Sequence, residues 1–276
     1  VTSPTDLLRL AEETAREAGR LVLEGGQSRV EVTGTKSSPT DVVTAVDLAS
    51  ERLIRERIAA ARPADAVVGE EGDDSSGSSG VTWVVDPIDG TVNFLYGIRQ
   101  FSVSLAACDE AGAVAAVVHD PSSGETFTAL RGDGAWLDGR PIRPSDCTDT
   151  TRALVGTGYH YRADVRARQA VETGRLVPHI RDVRRMGSAA LDLCYVACGR
   201  YDAYVERGLR PWDLAGGELI AREAGVRVEG MHGSDPSELL VVAAPEALFE
   251  GLHRELVSAG FGDWPIPDWP PNHRDV

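Results

Sequence analysis

The stretch Asp86-Pro87-Ile88-Asp89-Gly90-Thr91 constrains this chain more than any other. It follows Val81-Thr82-Trp83-Val84-Val85, an apolar run rich in β-branched and aromatic residues that reads as a buried strand. Two carboxylates three positions apart therefore emerge where a strand ends and the chain turns through Pro and Gly. Carboxylate oxygens are the hard ligands a Mg²⁺ site needs, and the backbone N–H groups of Gly90 and Thr91 can meet a phosphate. Taken alone, the same residues also suit a solvated turn, because Asp, Pro and Gly are common turn formers.

Composition narrows the classes. A chain of 276 residues with 42% hydrophobic and 26% charged residues is that of an ordinary globular protein. No run approaches the about 18 apolar residues of a membrane span. The opening residues lack the basic and apolar regions of a signal peptide, so a cytoplasmic location is expected. Cys108, Cys147, Cys194 and Cys198 form no C-x-x-C pair, and Cys194 and Cys198, one helical turn apart, read as buried thiols. The six histidines show no zinc-ligand spacing. A net charge of −15 argues against a nucleic-acid partner. It would also repel a small anionic substrate unless bound cations reverse the sign locally.

Periodicity supplies the elements. Ser3-Pro4-Thr5-Asp6 opens a helix with a face of Leu7, Leu10, Ala11, Ala18 and Leu21, stopped by Gly25-Gly26. A loop from Lys36 to Asp41 leads to a second helix. There Thr44 and Asp47 resemble a capping box, Leu53, Ile54, Ile58 and Ala61 form the buried stripe, and Arg62-Pro63 ends the helix. Val67 to Gly72 reads as a short strand ending in acids, and Asp73 to Gly80 as a mobile surface loop. Strand-like segments at Phe101–Leu105, Ala113–Val118 and Glu125–Leu130 predict an antiparallel meander. Beyond it, Leu154-Val155 and Tyr201–Glu206 read as strands, and Arg162–Arg175 and Ser188–Cys198 as helices. Leu214–Ala224 reads as a helix, Leu239–Ala243 as a strand and Pro245–Leu256 as a last helix. The tail from Gly260, with Trp264 and Trp269, is an extended strap or a loose end. This order predicts a layered α/β fold in one domain over residues 1–276, with halves near 1–150 and 151–260 and a tail at 261–276.

Acids recur at strand ends and helix starts: Asp41 and Asp47, Glu70 and Glu71, Asp86 and Asp89, and Asp213. If they meet, they cannot all ionise without cations, and Mg²⁺ resolves that conflict. Each has a simpler reading too: Asp47 as a helix cap, Glu70-Glu71 as a solvated loop, Lys36 as a surface charge.

Four segments together resemble the inositol monophosphatase family. They are Lys36-Ser37-Ser38-Pro39-Thr40-Asp41 running on to Asp47, then Gly69-Glu70-Glu71, then Trp83 through Phe94, then Trp212-Asp213-Leu214-Ala215-Gly216-Gly217. The resemblance implies a stacked αβαβα architecture, usually a homodimer, and Mg²⁺ as cofactor. It places Glu70, Asp86, the Ile88 carbonyl, Asp89 and Asp213 at the metal-ligating positions. It makes Thr91 with Asp47 the pair that orients a water for direct attack, and Glu70 the other candidate base. Gly90 and Thr91 match a phosphate cradle, while Gly187-Ser188-Ala189 and Glu206 match positions that contact the inositol ring; Asp89 and Asp213 border the same substrate.

The implied activity is release of phosphate from inositol 1-phosphate or a related small polyol phosphate. Asp182 through Cys194 is closer to the bacterial inositol monophosphatase branch than to the adenosine bisphosphate phosphatases. Histidinol and nucleotide phosphatases of similar fold are alternatives, as is a regulatory member that binds transcription machinery. A passive Ca²⁺-binding domain would need a D-x-[DN]-x-[DN]-G loop that this chain does not carry.

Overall fold

A computed structural model describes residues 3–27, 31–36, 39–262, 264 and 266. Ser37 and Ser38 of the first motif, and Trp269 with the rest of the tail beyond residue 266, lie outside the described residues.

Helix α1 (Pro4–Gly25) starts as its residues dictate: Ser3 Oγ accepts the Asp6 N–H at 3.2 Å, and Pro4 fills the first position. Its buried face runs through Leu7, Ala11, Ala15, Ala18 and Val22, so Val22 rather than Leu21 completes the stripe. A two-stranded hairpin of β1 (Val32–Thr35) and β2 (Val42–Thr44) leads into α2 (Ala45–Ala61). Thr44 and Asp47 cap α2 reciprocally. Ile54 and Ile58 are buried, but Ala61 is exposed and Leu53 only half-buried; the stripe instead continues toward the N-terminus through Asp47, Ser50 and Glu51.

The first sheet follows. Its strands are β3 (Ala66–Gly69), β4 (Thr82–Asp89), then, after the short α3 (Thr91–Leu95), β5 (Ser102–Asp109), β6 (Gly112–His119), β7 (Thr126–Leu130), β8 (Gly134–Leu137) and β9 (Arg140–Pro141). They lie side by side in chain order, parallel between β3 and β4 and antiparallel thereafter, which is the expected meander. The second half supplies β10 (Leu154–Thr157), α4 (Ala163–Leu176), β11 (Asp182–Arg184), α5 (Ala189–Ala197), β12 (Ala203–Glu206), α6 (Pro211–Glu223), β13 (Val226–Glu229), β14 (Val241–Pro245) and α7 (Glu246–Ala259). Its sheet has the order β11-β10-β12-β14-β13.

Among the described residues, the three larger apolar cores join these parts. Helices α1 and α2 cover one face of the first sheet, with Leu7, Ile54, Trp83 and Leu105 in the contact. Helices α5 and α6 fill the space between the sheets through Leu191, Leu193 and Ile220 against Phe127 and Tyr204. Helix α7 closes the outer face of the second sheet through Leu248, Phe249 and Leu252, and α4 lies beside it. The result is the αβαβα sandwich that the resemblance implies. No helix among the described residues is long and apolar enough to cross a membrane.

Two boundaries differ from expectation in ways that matter below. Strand β4 does not stop at Val85 but continues through Asp89. Helix α6 begins at Pro211 rather than Leu214, with Pro in the first turn, so Asp213 belongs to the helix instead of preceding it. Strand β14 also starts two residues later than Leu239.

Candidate active site

The pairing of β4 with β5 is irregular where it carries the acids. Asp86 lies opposite Ser104, but Asp89 lies opposite Ser102, so three steps on one strand match two on the other. In a regular strand, side chains three positions apart face opposite sides; the extra residue of this bulge turns both carboxylates to one side. Pro87 fits there because a bulge forgoes a ladder hydrogen bond that Pro cannot donate. Ser50 of α2 donates to the Pro87 carbonyl at 3.2 Å, and Asp86 Oδ1 accepts the Ile88 N–H at 3.0 Å, fixing the bulge from both sides.

Helix N-termini bring the remaining groups. Asp89 accepts the Ser188 hydroxyl at 2.6 Å and the Ala190 and Ala189 N–H groups at 2.8 and 3.2 Å, which seats it on the start of α5. Asp213, in the first turn of α6, accepts the Arg210 N–H at 2.6 Å. Asp86, Asp89 and Asp213 then place one oxygen each within 4.8 Å of the others. At the start of α2, Asp47 accepts the Thr44 N–H at 2.9 Å and, through Oδ1, the Thr91 hydroxyl at 3.0 Å. Thr91 Oγ is also 3.0 Å from the Ile88 carbonyl oxygen. Gly90, with φ of +100°, makes the turn between β4 and α3; a side chain there would press on the Gln100 and Gly187 carbonyls.

Crowding sets the electrostatics. Burial pushes Asp86 well above the usual carboxylate range, and Glu70, Asp89 and Asp213 add like-charge repulsion. Asp213 is raised by burial and then by Glu70 and Asp89. Asp89 is held lower, at about 6, since its hydrogen bonds from Ser188, Ala190 and Ala189 offset part of the burial. Burial also raises Asp47, against the donors Thr44 and Thr91. The donors form an all-oxygen set, and the acids repel one another in dry surroundings. A hard divalent cation fits that set, with Asp86, Asp89 and Asp213 as the residues able to hold it.

Lys36 is not a free surface charge. Its Nζ lies 2.7 Å from Glu70 and 2.5 Å from Glu71, at the edge of the acid cluster. Burial alone would lower its pKa, but the two glutamates outweigh burial and hold it above its ordinary value. Glu71 itself is pushed up to about 8 by burial and by Glu70. Asp41 is not part of the Asp86–Asp89–Asp213 group; its carbonyl accepts the Lys36 N–H at 2.8 Å.

The opposite wall comes from the second half of the chain. Asn93 donates to the Gln100 carbonyl at 2.8 Å and to the Met186 carbonyl at 2.7 Å, tying α3 to Gly187 (φ +89°) ahead of Ser188 and Ala189. Glu206, at the end of β12, accepts the Tyr204 hydroxyl. Its carboxyl lies over Gly158, where an added Cβ would fall 1.9 Å from the carboxyl carbon. Burial raises Glu206 to about 7 even with the help of Tyr204 and Arg185.

Sequence reasoning passed over several residues that shape this cluster. Glu51, Ser50 and Asn93 touch its backbone, and Tyr204 holds Glu206. One signal was available: Asp47 and Glu51 are one turn apart on α2, so two acids share the face whose later positions are Ile54 and Ile58. Tyr204 alternates with Glu206 on β12 but gives no sign by itself of facing it.

Known proteins resemble this chain over most of its length. Residues 3–260 match the family model described as "Inositol monophosphatase family". The chain is 44% identical to a protein of Mycobacterium bovis named inositol-1-monophosphatase, over 96% of this chain and 98% of that protein. It is 40% identical to the Escherichia coli protein named Nus factor SuhB, over 82% and 86%. The crystal structure of the extragenic suppressor protein suhB from Bartonella henselae superposes with a TM-score of 0.86 at 32% identity, covering 91% of this chain and 98% of that one. A phosphatase fold, an acid cluster fit for a metal and a family match across nearly the whole length point the same way, and the chain belongs to the inositol monophosphatase family.

Proposed function

We propose that the protein is a Mg²⁺-dependent phosphate monoester hydrolase acting on inositol 1-phosphate or a related small polyol phosphate. The observation that carries this reading is the meeting of Asp86, Asp89 and Asp213 beside the Asp47–Thr91 pair. Bound by the acids, a divalent cation supplies positive charge that acidifies a water and neutralises a departing alkoxide. The protein's own groups do the rest. Thr91 Oγ accepts a proton from the attacking water while its own proton passes to Asp47 Oδ1, which burial has made a stronger base than a surface aspartate. The Gly90 and Thr91 amides face the phosphate. Gly187-Ser188-Ala189 and Glu206 meet the polyol, and Glu206 accepts hydrogen bonds from neighbouring hydroxyls. A buried acceptor left without them would disfavour substrates that lack a polyol. The attack is direct, and the assembly we propose is a homodimer.

The test is phosphate release from inositol 1-phosphate, glycerol phosphates, histidinol phosphate and nucleotide monophosphates, each with Mg²⁺ and with EDTA. Release that is fastest from the inositol or glycerol esters and lost in EDTA is expected. Equal release in EDTA would refute the cation's role, and a clear preference for histidinol phosphate would refute the substrate.

The name carried by the E. coli relative favours a second reading, in which the protein binds transcription machinery. A net charge of −15 argues against an RNA partner, so we infer that such binding would go through protein. Stoichiometric recovery of RNA polymerase on the immobilised protein, with feeble hydrolysis, would favour it over the enzyme.

A further inference from the structure

We propose that the C-terminal strap positions the polyol side of the site: Trp264, held between Arg168 and Arg207, fixes the connection that joins Glu206 to Asp213. This rests on the reading of Glu206 as the acid that meets the polyol.

Arg207 directly follows Glu206, and only 2% of its surface is exposed. A guanidinium buried so deeply must find acceptors, and the strap provides them. Arg207 donates to the Gly262 carbonyl at 2.6 Å and to the Trp264 carbonyl at 3.1 Å, as well as to the Leu239 carbonyl. Its charge also lies 4.1 Å from the centre of the Trp264 ring, and the Arg168 guanidinium of α4 lies 4.0 Å from the same ring. Trp264 Nε1 donates to Glu172 Oε1 at 2.8 Å, which anchors the indole to α4.

The same segment covers the next residue. Gly208 has φ of +88°, and Ile266 Cδ1 lies 3.4 Å from where its Cβ would be. The Gly208 N–H meets the Glu238 carbonyl at 2.8 Å. The short connection from β12 to α6 is thus gripped from outside by the strap, while its two ends carry Glu206 and Asp213. Trp264 meets Arg168, Arg207 and Glu172 rather than the acid cluster, so it is a positioning residue.

Loosening the strap should free Glu206 before Asp213. Asp213 is tied within α6, whereas Glu206, the last residue of β12 and paired with Val241, is held by Tyr204 and by the backbone that Arg207 fixes. Kinetics on two substrates separate the effects: inositol 1-phosphate, and 4-nitrophenyl phosphate, which has no hydroxyls for Glu206. Trp264→Ala should raise KM for inositol 1-phosphate about tenfold and change kcat/KM for 4-nitrophenyl phosphate by less than about twofold. In a Glu206→Gln background the Trp264→Ala penalty should vanish. Should Trp264→Ala fail to fold, Trp264→Phe keeps a ring on Arg207 but loses the Glu172 bond, and should move KM the same way by less. Equal losses on both substrates, or a penalty that persists with Glu206→Gln, would overturn the inference. If Glu206→Gln alone leaves the ratio between the substrates unchanged, the reading of Glu206 falls and the strap inference falls with it. A normal response to Glu206→Gln with none to either Trp264 variant overturns only the strap.

Discussion

Glu51 Oε2 accepts the backbone N–H of Glu71 at 2.8 Å, which ties the second helix to the loop that carries Glu70 and Glu71. Its other oxygen accepts the Gly72 N–H at 2.8 Å and pairs with Arg55 at 2.7 Å. Glu51→Ala would leave two backbone donors without their acceptor and Arg55 with only the Val67 and Gly72 carbonyls, costing about 3 kcal/mol. Thermal unfolding should show that loss, and phosphate release should fall with it because Glu70 is no longer held in register. Glu51→Gln keeps one acceptor and should lose less. A Glu51→Ala protein that melts like the wild type would show that the loop holds itself.

Asp86 sits among Glu70, Asp89 and Asp213, each of which raises its pKa. Asp86→Asn removes one of the mutually repelling charges. Without divalent cations the variant should therefore melt a few degrees higher, at about 2–4 °C per kcal/mol of repulsion relieved. Phosphate release should drop by about a thousandfold or more, and the rise in melting temperature that Mg²⁺ gives the wild type should shrink or disappear. Near-normal turnover would contradict the role proposed for Asp86.

Glu206 is raised from 4.5 to about 7, so between those values the folded protein holds a proton that the unfolded chain has released. The slope of stability with pH is then negative. The contribution is fully present below about pH 4.5 and is lost as pH rises toward about 7 and above. Glu206→Gln removes that titration. Its stability relative to the wild type should improve from pH 5 to pH 8, by at most about 3 kcal/mol. Chemical denaturation of both proteins in EDTA at the two pH values measures the difference, and parallel profiles would mean that Glu206 titrates as an ordinary surface acid.

Thr91 Oγ bridges Asp47 and the Ile88 carbonyl across elements far apart in the sequence. Thr91→Ala should lower kcat about a hundredfold with little change in KM, because it removes a proton carrier. Thr91→Ser keeps the hydroxyl and should recover most of the rate. A serine variant as slow as the alanine variant would assign the effect to lost packing of the methyl group.

Local features of the site were readable without coordinates. The Thr44–Asp47 cap depends on residues three apart, and the β5–β7 meander on strand alternation; both are present. The expected start of α6 falls late because Asp213 reads as a strand-end acid, although Pro211 is a regular helix opener. The bulge at Pro87-Ile88 was not readable at all, since it exists only in the register of β4 against β5. Lys36 reads as a surface charge for the same reason: its partners Glu70 and Glu71 come only after β2, α2 and β3.

By itself the sequence determined the longer helices, the β5–β7 meander and the presence of acids near element ends, because those depend on neighbours a few residues away. Only the tertiary structure decided that Asp86, Asp89 and Asp213 would crowd within 4.8 Å, that Lys36 would offset Glu70, and that Trp264 would grip Arg207. Charge interactions and burial depend on distance through space and on the surrounding medium, and separation along the chain carries neither.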